Sequence, residues 1–189
     1  QFSCPEFEYL RNNQWVFEEK VDGTNIRVLW HEGCVAFAGK TDAAQIPPFL
    51  HVRLADLFPA EVLAGVFEVH ARVCLYGEGY GARIQKGGGN YKSDGVDFVL
   101  FDVWVDGWWL ERAAIYDIAA KMGNLRCVPV VGQGMLLDGV DMVRNGIQSS
   151  WGAFGAEGLV MRPSVQLFDR RGYRVITKIK QKDFLRVAP

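Results

Sequence analysis

Glu18-Glu19-Lys20-Val21-Asp22-Gly23-Thr24-Asn25 sets one lysine at the end of a β-rich run, with a glycine three residues on. Glycine has no Cβ, so the backbone at Gly23 can come close to a ligand, and a lysine at such a corner can face a pocket. Taken alone, the stretch reads more simply as a strand running into a D-G-T-N turn with a solvated lysine. What the rest of the chain places around it decides between the two.

On both sides of the lysine the pattern is sheet. Gln14 to Val21 and Asn25 to His31 are rich in β-formers, and Cys34 to Ala38 returns after a Glu32-Gly33 turn, so antiparallel strands are expected first. After Pro47-Pro48, Phe49, Val52, Leu54 and Leu57 suit a helix, and a second short helix opens at Pro59. Arg72 to Gly77 and Val96 to Val105 read as strands. Ala113, Ile115, Ile118, Ala119 and Met122 form a helical stripe ended by Gly123. Val128 to Val131 is a short strand, Asp138 caps a helix running to about Asn145, and Gly158 to Arg162 and Arg174 to Ile179 close the chain as strands. With no βαβαβ rhythm, this order predicts a single α+β domain over residues 1–189, built of mostly antiparallel sheets flanked by helices.

At 189 residues with 49% apolar and 23% charged residues, the chain can bury a core, and disorder, a collagen repeat and a coiled coil are excluded. Lys plus Arg total 21 against 22 for Asp plus Glu, so a polycationic coat is excluded while a local basic groove is not. No apolar run spans a bilayer and Gln1 to Glu8 lacks the pattern of a secretory signal, which makes a cytoplasmic monomer the expectation. Cys4, Cys34, Cys74 and Cys127 are scattered singly, so they read as reduced thiols, and His31 with Cys34 lacks the second ligand pair of a zinc site. Gly77-Glu78-Gly79-Tyr80-Gly81 lacks the G-x-G-x-x-G spacing, Gly87-Gly88-Gly89 lacks a G-K-[ST] ending, and no G-x-S-x-G elbow occurs.

Four further segments follow Lys20-Val21-Asp22-Gly23 in a fixed order: Leu75-Tyr76-Gly77-Glu78-Gly79, Val99-Leu100-Phe101-Asp102-Val103, Ala156-Glu157-Gly158-Leu159-Val160-Met161-Arg162 and Lys178-Ile179-Lys180. In that order they resemble the covalent nucleotidyltransferase superfamily of ATP-dependent ligases and mRNA capping enzymes. The extended segments Asp22-Gly23-Thr24-Asn25-Ile26-Arg27 and Gly39-Lys40-Thr41-Asp42-Ala43-Ala44-Gln45-Ile46-Pro47 are most similar to RNA ligases. The resemblance implies a nucleotide pocket between sheets, a lysyl-AMP intermediate on Lys20, and ATP with Mg2+ or Mn2+ as cofactors. It implies nucleotide contacts from Glu19, Asp22, Gly23, Asn25, Lys40, Glu78, Phe101, Glu157, Lys178 and Lys180, with Glu157 and Asp22 towards the metal. The implied substrate is RNA with 5'-phosphate and 3'-hydroxyl ends. Alternatives are a DNA ligase, a capping-type guanylyltransferase and a nonenzymatic RNA- or nucleotide-binding module with a degenerate site. The family often has Arg where Lys40 stands, and a lysine offers a point charge in place of a fork. Ligases of the superfamily usually add a C-terminal domain after the K-x-K motif, and Gln181 to Pro189 follow here, so an accessory domain or protein is a possible partner for end binding.

The chemistry requires these residue types in its own right. A lysine attacks phosphorus only as the neutral amine, and at an ordinary pKa of about 10.4 roughly one in a few thousand is neutral at pH 7. Lys178, Lys180 and a divalent metal are cationic neighbours that favour the neutral form, whereas Asp22 in a tight pair with Lys20 would oppose it. Lys178 and Lys180, two apart on a strand, share a side and suit the departing pyrophosphate. Phe98 and Phe101, three apart, point to opposite faces, and Phe101 is the one expected to stack on the base. Gln85 to Lys92 is expected either to cover the nucleotide or RNA ends or to be a plain surface loop. Arg162, Arg170, Arg171 and Arg174 offer a local basic surface, and Trp104, Trp108 and Trp109 are assigned to the core or to the Asp106-Gly107 turn.

Overall fold

In chain order the elements are α1 (Pro5–Tyr9), β1 (Trp15–Glu19), β2 (Thr24–His31), β3 (Cys34–Ala38), α2 (Pro48–Leu57), α3 (Ala60–Ala64), β4 (Val73–Gly81) and α4 (Gly88–Tyr91). They continue as β5 (Val96–Val105), β6 (Trp108–Trp109), α5 (Arg112–Lys121), β7 (Val130–Gly134), α6 (Leu136–Asn145), β8 (Gly158–Pro163), β9 (Thr177–Lys180) and α7 (Lys182–Leu185). The computed structural model describes residues 2–123 and 125–185, so the end of the Gln181 to Pro189 tail, residues 186–189, lies outside the described residues. The elements fall into two compact units, Gln1–Val21 with Val128–Pro189, and Asp22–Cys127.

The first unit carries a four-stranded sheet in the order β7-β1-β8-β9, with every neighbouring pair antiparallel. Trp15 and Phe17 of β1, Leu159 and Met161 of β8, and Leu136 and Val143 of α6 form its core. Gly139 lets α6 lie flat on this sheet: a Cβ there would meet the Met161 sulfur at 2.2 Å. The second unit carries a five-stranded antiparallel sheet, β3-β2-β4-β5-β6. Its inner face, Ile26, Val28, Trp30, Leu75, Phe98 and Leu100, is covered by Leu50 and Leu54 of α2, Leu63 of α3 and Ile115 of α5. Leu50 and Leu54 are fully buried and contribute about 2 kcal/mol each by removal from water. Antiparallel sheets flanked by helices are the α+β class expected from the sequence.

Several boundaries differ for local reasons. β4 runs on to Gly81 because Gly77 and Gly79 face the core, where a Cβ would meet the Phe98 ring at 2.1 Å and Leu50 at 2.6 Å. The pattern ended this strand at Gly77, but the glycines beyond it are strand backbone packed under large side chains. Asp138 is not the cap of α6 but lies in its first turn, its carboxylate accepting the Met135 N–H at 2.8 Å, so the helix begins at Leu136. β9 starts at Thr177, later than expected, because Arg174 and Val175 pair back onto Phe168 and Leu167. β7 is displaced to Val130–Gly134, and the Pro129 carbonyl instead accepts the Glu19 N–H at 3.0 Å. The short α1, α4, β6 and α7 have no counterpart in the sequence pattern.

Candidate functional site

In the first unit, β1 pairs with β8 from Trp15 opposite Pro163 to Glu19 opposite Leu159, and β8 pairs with β9 with Gly158 opposite Lys180. The register carries the Lys20 N–H onto the Gly158 carbonyl at 3.0 Å and the Gln181 N–H onto the Glu157 carbonyl, also at 3.0 Å. Residues from three distant parts of the sequence are thereby set side by side. Lys20 Nζ donates to Glu157 Oε2 at 2.5 Å and Lys180 Nζ lies 2.5 Å from Glu157 Oε1. The carboxylate is held between two ammonium groups, with both of its oxygens engaged. Lys178, opposite Val160 on β9, is exposed and shares the strand face of Lys180.

The sequence placed cations around Lys20 and Glu157 at a metal; in the structure the Lys20 amine is paired with that carboxylate. Burial works to raise the Glu157 carboxyl, and the hydrogen bonds from Lys180 and Lys20 outweigh it, so its pKa lies below the usual value of 4.5. A carboxyl depressed on folding stabilises the fold above its unfolded pKa, and that stabilisation is lost as pH falls through the lower folded value. Melting followed from pH 6 down to about pH 3 should therefore show the wild type losing an increment that Glu157→Gln never had. Parallel curves for the two proteins would contradict the pairing.

The neighbouring carboxylates have other tasks. Glu19, expected at the nucleotide, is buried with its side chain turned onto Ser149 and Ser150: Oε1 accepts the Ser149 hydroxyl at 2.5 Å, and Oε2 the Ser150 N–H at 2.9 Å and hydroxyl at 2.5 Å. Its side chain is committed to holding that loop, and the adjoining main chain carries the register to Lys20. Glu18 pairs with Arg162 at 2.9 Å, so Arg162 is part of the sheet's own charge balance and not of an open basic surface. Neither the Ser149-Ser150 partnership nor the Glu18 pairing had any signal in the sequence, since each joins residues over a hundred positions apart.

In the second unit the alternation of β2 and β4 puts Asn25 opposite Glu78, both on the face away from the core residues Ile26 and Gly77. On β5, Tyr76 pairs with Asp102 and Gly77 with Leu100, leaving Phe101 as the extra residue of a β-bulge. The inward residues accordingly skip from Leu100 to Val103, and Phe101 and Asp102 both fall on the Asn25–Glu78 face. Phe98 is 1% exposed and packs edge-on against Phe58 at 5.1 Å, whereas Phe101 is half-buried. A bulge, not simple alternation, is what separates them. Phe101→Ala should shift melting by no more than about 2–4 °C, since the half-buried ring lies on the face away from the core. A larger drop would give the ring a part in the packing.

Gly23 lies under β4: a Cβ on it would meet the Gly79 carbonyl at 2.3 Å and Glu78 Cγ at 2.8 Å. Gln85 Nε2 donates to the Gly23 carbonyl at 3.3 Å, and a Cβ on Gly87 would lie 3.0 Å from Asp22 Oδ2. The Gln85 to Lys92 stretch, which includes α4, is therefore docked against the D-G turn. Lys40 is exposed on a loop that Arg27 holds, through Nε to the Gly39 carbonyl at 2.8 Å and Nη2 to Asp42 at 2.7 Å. Arg27 supplies a guanidinium beside the position where the family pattern often has one. Trp108, assigned to the core or turn, is 75% exposed on β6, while Trp109 lies 5.1 Å from the Tyr76 ring.

As a metal site the first unit offers one carboxylate, Glu157, already shared by two lysines, and no group of three His, Cys, Asp or Glu residues suited to a metal occurs among the described residues. Such a donor set fits a hard, largely hydrated ion that reaches the protein through one carboxylate and completes its shell with water and phosphate oxygens. No helix among the described residues is long and apolar enough to cross a membrane.

The profile of the RNA ligase family matches residues 13–180. No curated protein matches the chain. Among solved structures, a mutant of the Naegleria gruberi RNA ligase with ATP and Mn superposes with a TM-score of 0.75 at 17% identity, over 96% of this chain and 53% of that one. A mutant of the same protein with AMP and Mn gives 0.75 at 17% identity over 97% and 54%. The N. gruberi RNA ligase with PPi gives 0.70 at 18% identity over 96% and 53%. The chain spans about half the length of these structures, and the likeness is one of fold.

Proposed function

Because this chain belongs to the RNA ligase family, we propose that it catalyses the ATP-dependent joining of RNA ends with Lys20 as nucleophile. The observation that supports this most is the Glu157 carboxylate held by Lys20 and Lys180, with Lys178 two residues back on the same strand. Three lysines against one carboxylate leave the cluster positively charged, which suits a triphosphate.

In this reading Lys180 and Lys178 bind phosphate oxygens, the Lys20–Glu157 pair opens, and the Lys20 proton is released. Nζ of Lys20 then attacks the α-phosphorus. The N–P bond forms as the bond from phosphorus to the β-phosphate's bridging oxygen breaks, and pyrophosphate leaves with that electron pair, its charge met by the two lysines. Next, an oxygen of an RNA 5'-phosphate attacks the same phosphorus, breaking the N–P bond and restoring the Lys20 amine. A 3'-hydroxyl finally attacks the activated 5'-phosphate, and AMP leaves.

Glu78 is assigned to a ribose hydroxyl and Phe101 to the base, with Gly23, Asn25, Lys40 and the main chain of Glu19 as further nucleotide contacts. Mg2+ or Mn2+, held through Glu157 with Asp22 as a second candidate donor, would supply charge neutralisation at the phosphates. The N. gruberi structures carry ATP, AMP and Mn, which favours the same nucleotide and ion here.

Separate incubations with labelled ATP, GTP and NAD+ in the presence of Mn2+ test the assignment. Label from ATP alone is expected. Label from GTP would point to a capping-type activity, and active protein that takes up no label would be a binding module.

A further inference from the structure

Residues 164–176 join β8 to β9 within the first unit as a fastened hairpin. The Asp169 N–H donates to the Tyr173 carbonyl at 2.7 Å, and Asp169 Oδ1 accepts the N–H groups of Arg171 at 2.8 Å and Tyr173 at 2.9 Å. Gly172 takes the left-handed φ of +82° that closes the turn. The Tyr173 N–H contributes most to holding the Asp169 carboxyl below its ordinary pKa. Further down, Phe168 bridges Arg174, and Val175, buried in the first unit's core, donates to the Leu167 carbonyl at 2.8 Å. The tip is thus anchored at its base and tied across its end.

What this turn displays is an aromatic ring beside cations. Tyr173 is 66% exposed, the Arg171 guanidinium, held by Asp169 Oδ2 through Nε at 3.2 Å and Nη2 at 3.1 Å, stands 5.3 Å from its ring centre, and Arg170 is exposed at the tip. Residues 164–176 hold three arginines and one aspartate, in a chain whose net charge is -1. A local positive excess on a near-neutral protein calls for an anionic partner, and an open ring beside guanidinium groups adds a surface on which a base can stack.

We propose that this hairpin tip is a docking surface for single-stranded RNA, with a base stacked on Tyr173 and phosphates on Arg170 and Arg171. The choice of RNA rests on the ligase reading above. Tyr173 is seven residues from Lys180, so the tip lies within about 25 Å of the Lys20–Glu157–Lys180 cluster by chain reach alone, a span that a strand of several nucleotides covers.

Fluorescence anisotropy with a labelled single-stranded RNA of about 20 nucleotides, across a salt series, tests the surface. The double variant Arg170→Ala, Tyr173→Ala is expected to bind about tenfold or more weakly and to lose about 0.7 from the salt slope, with self-adenylylation unchanged. Tyr173→Phe, which keeps the ring, should bind as the wild type does. Wild-type affinity in the double variant would overturn the proposal even where Lys20 is adenylylated normally. Loss of RNA binding in the double variant, with no adenylylation of any protein, would uphold the hairpin and remove the ligase reading.

Discussion

Lys20→Ala is expected to abolish transfer of AMP from ATP to the protein and to leave melting within about 2–4 °C of the wild type. The side chain is 18% exposed, lies at the sheet's end and fills no part of the core, so its removal opens no cavity. Glu157 keeps Lys180 as a partner, so the carboxylate is not stranded and the cost is about 1 kcal/mol, the range of a partly solvated ion pair. Activity responds quite differently, because no other residue in the scheme supplies the nitrogen that bonds to phosphorus. A variant that still takes up label at the wild-type rate would place the nucleophile elsewhere. A variant that fails to fold would give Lys20 a structural role that the geometry does not show.

Gly158→Ala is expected to damage stability and chemistry together. A Cβ at this position would stand 1.9 Å from the Ile179 carbonyl oxygen and 2.8 Å from Lys180 Cα, both backbone atoms of β9 that cannot swing aside. The same residue's carbonyl accepts the Lys20 N–H, so pushing β8 away from β9 disturbs Lys20, Glu157 and Lys180 at once. Overpacking against backbone costs about 3 kcal/mol, which in a chain of this size lowers the melting temperature by about 10 °C. Adenylylation should fall at least about a hundredfold, since a displacement of about 1 Å among reacting groups is enough for that. Measuring both on the same preparation separates the effects: normal melting with normal labelling would mean that β9 accommodates the methyl group and that the close approach carries no function.

The glycine thus explains why an E-G pair belongs at this point of the chain, and it shows where the sequence was readable. Strands from Trp15, Thr24, Cys34, Val96 and Gly158 were legible because their apolar residues recur with the period of a sheet and turn residues bound them. Of the helices of 10 residues, α2 was legible from its proline start and α5 from its stripe, while α6 was read from Asp138 as its cap and so begins three residues earlier than expected. The glycines of β4 misled because composition alone cannot show that Phe98 and Leu50 fill the space above Gly77 and Gly79. Elements of two to five residues, such as α1 and β6, carry too little periodicity to stand out.

For the site, the motif order brought Lys20, Glu157 and Lys180 forward as candidates, and the strand register joins them. Their pairing was not legible, because which oxygen meets which ammonium depends on β1, β8 and β9 lying side by side, a long-range fact. Phe101 came forward from its place beside Asp102, yet its placement depends on a bulge that no pattern in Val96–Val105 announces. The hold of Ser149 and Ser150 on the Glu19 carboxylate was not legible for a related reason: it joins residues about 130 positions apart.

Intact-mass spectrometry of the chain after incubation with ATP and Mn2+, followed by peptide mapping, bears most directly on the role given to Lys20. One adenylyl group on the peptide containing Lys20, removed by added pyrophosphate, is the expected result. An unmodified chain, or an adenylyl group on any other residue, would contradict it.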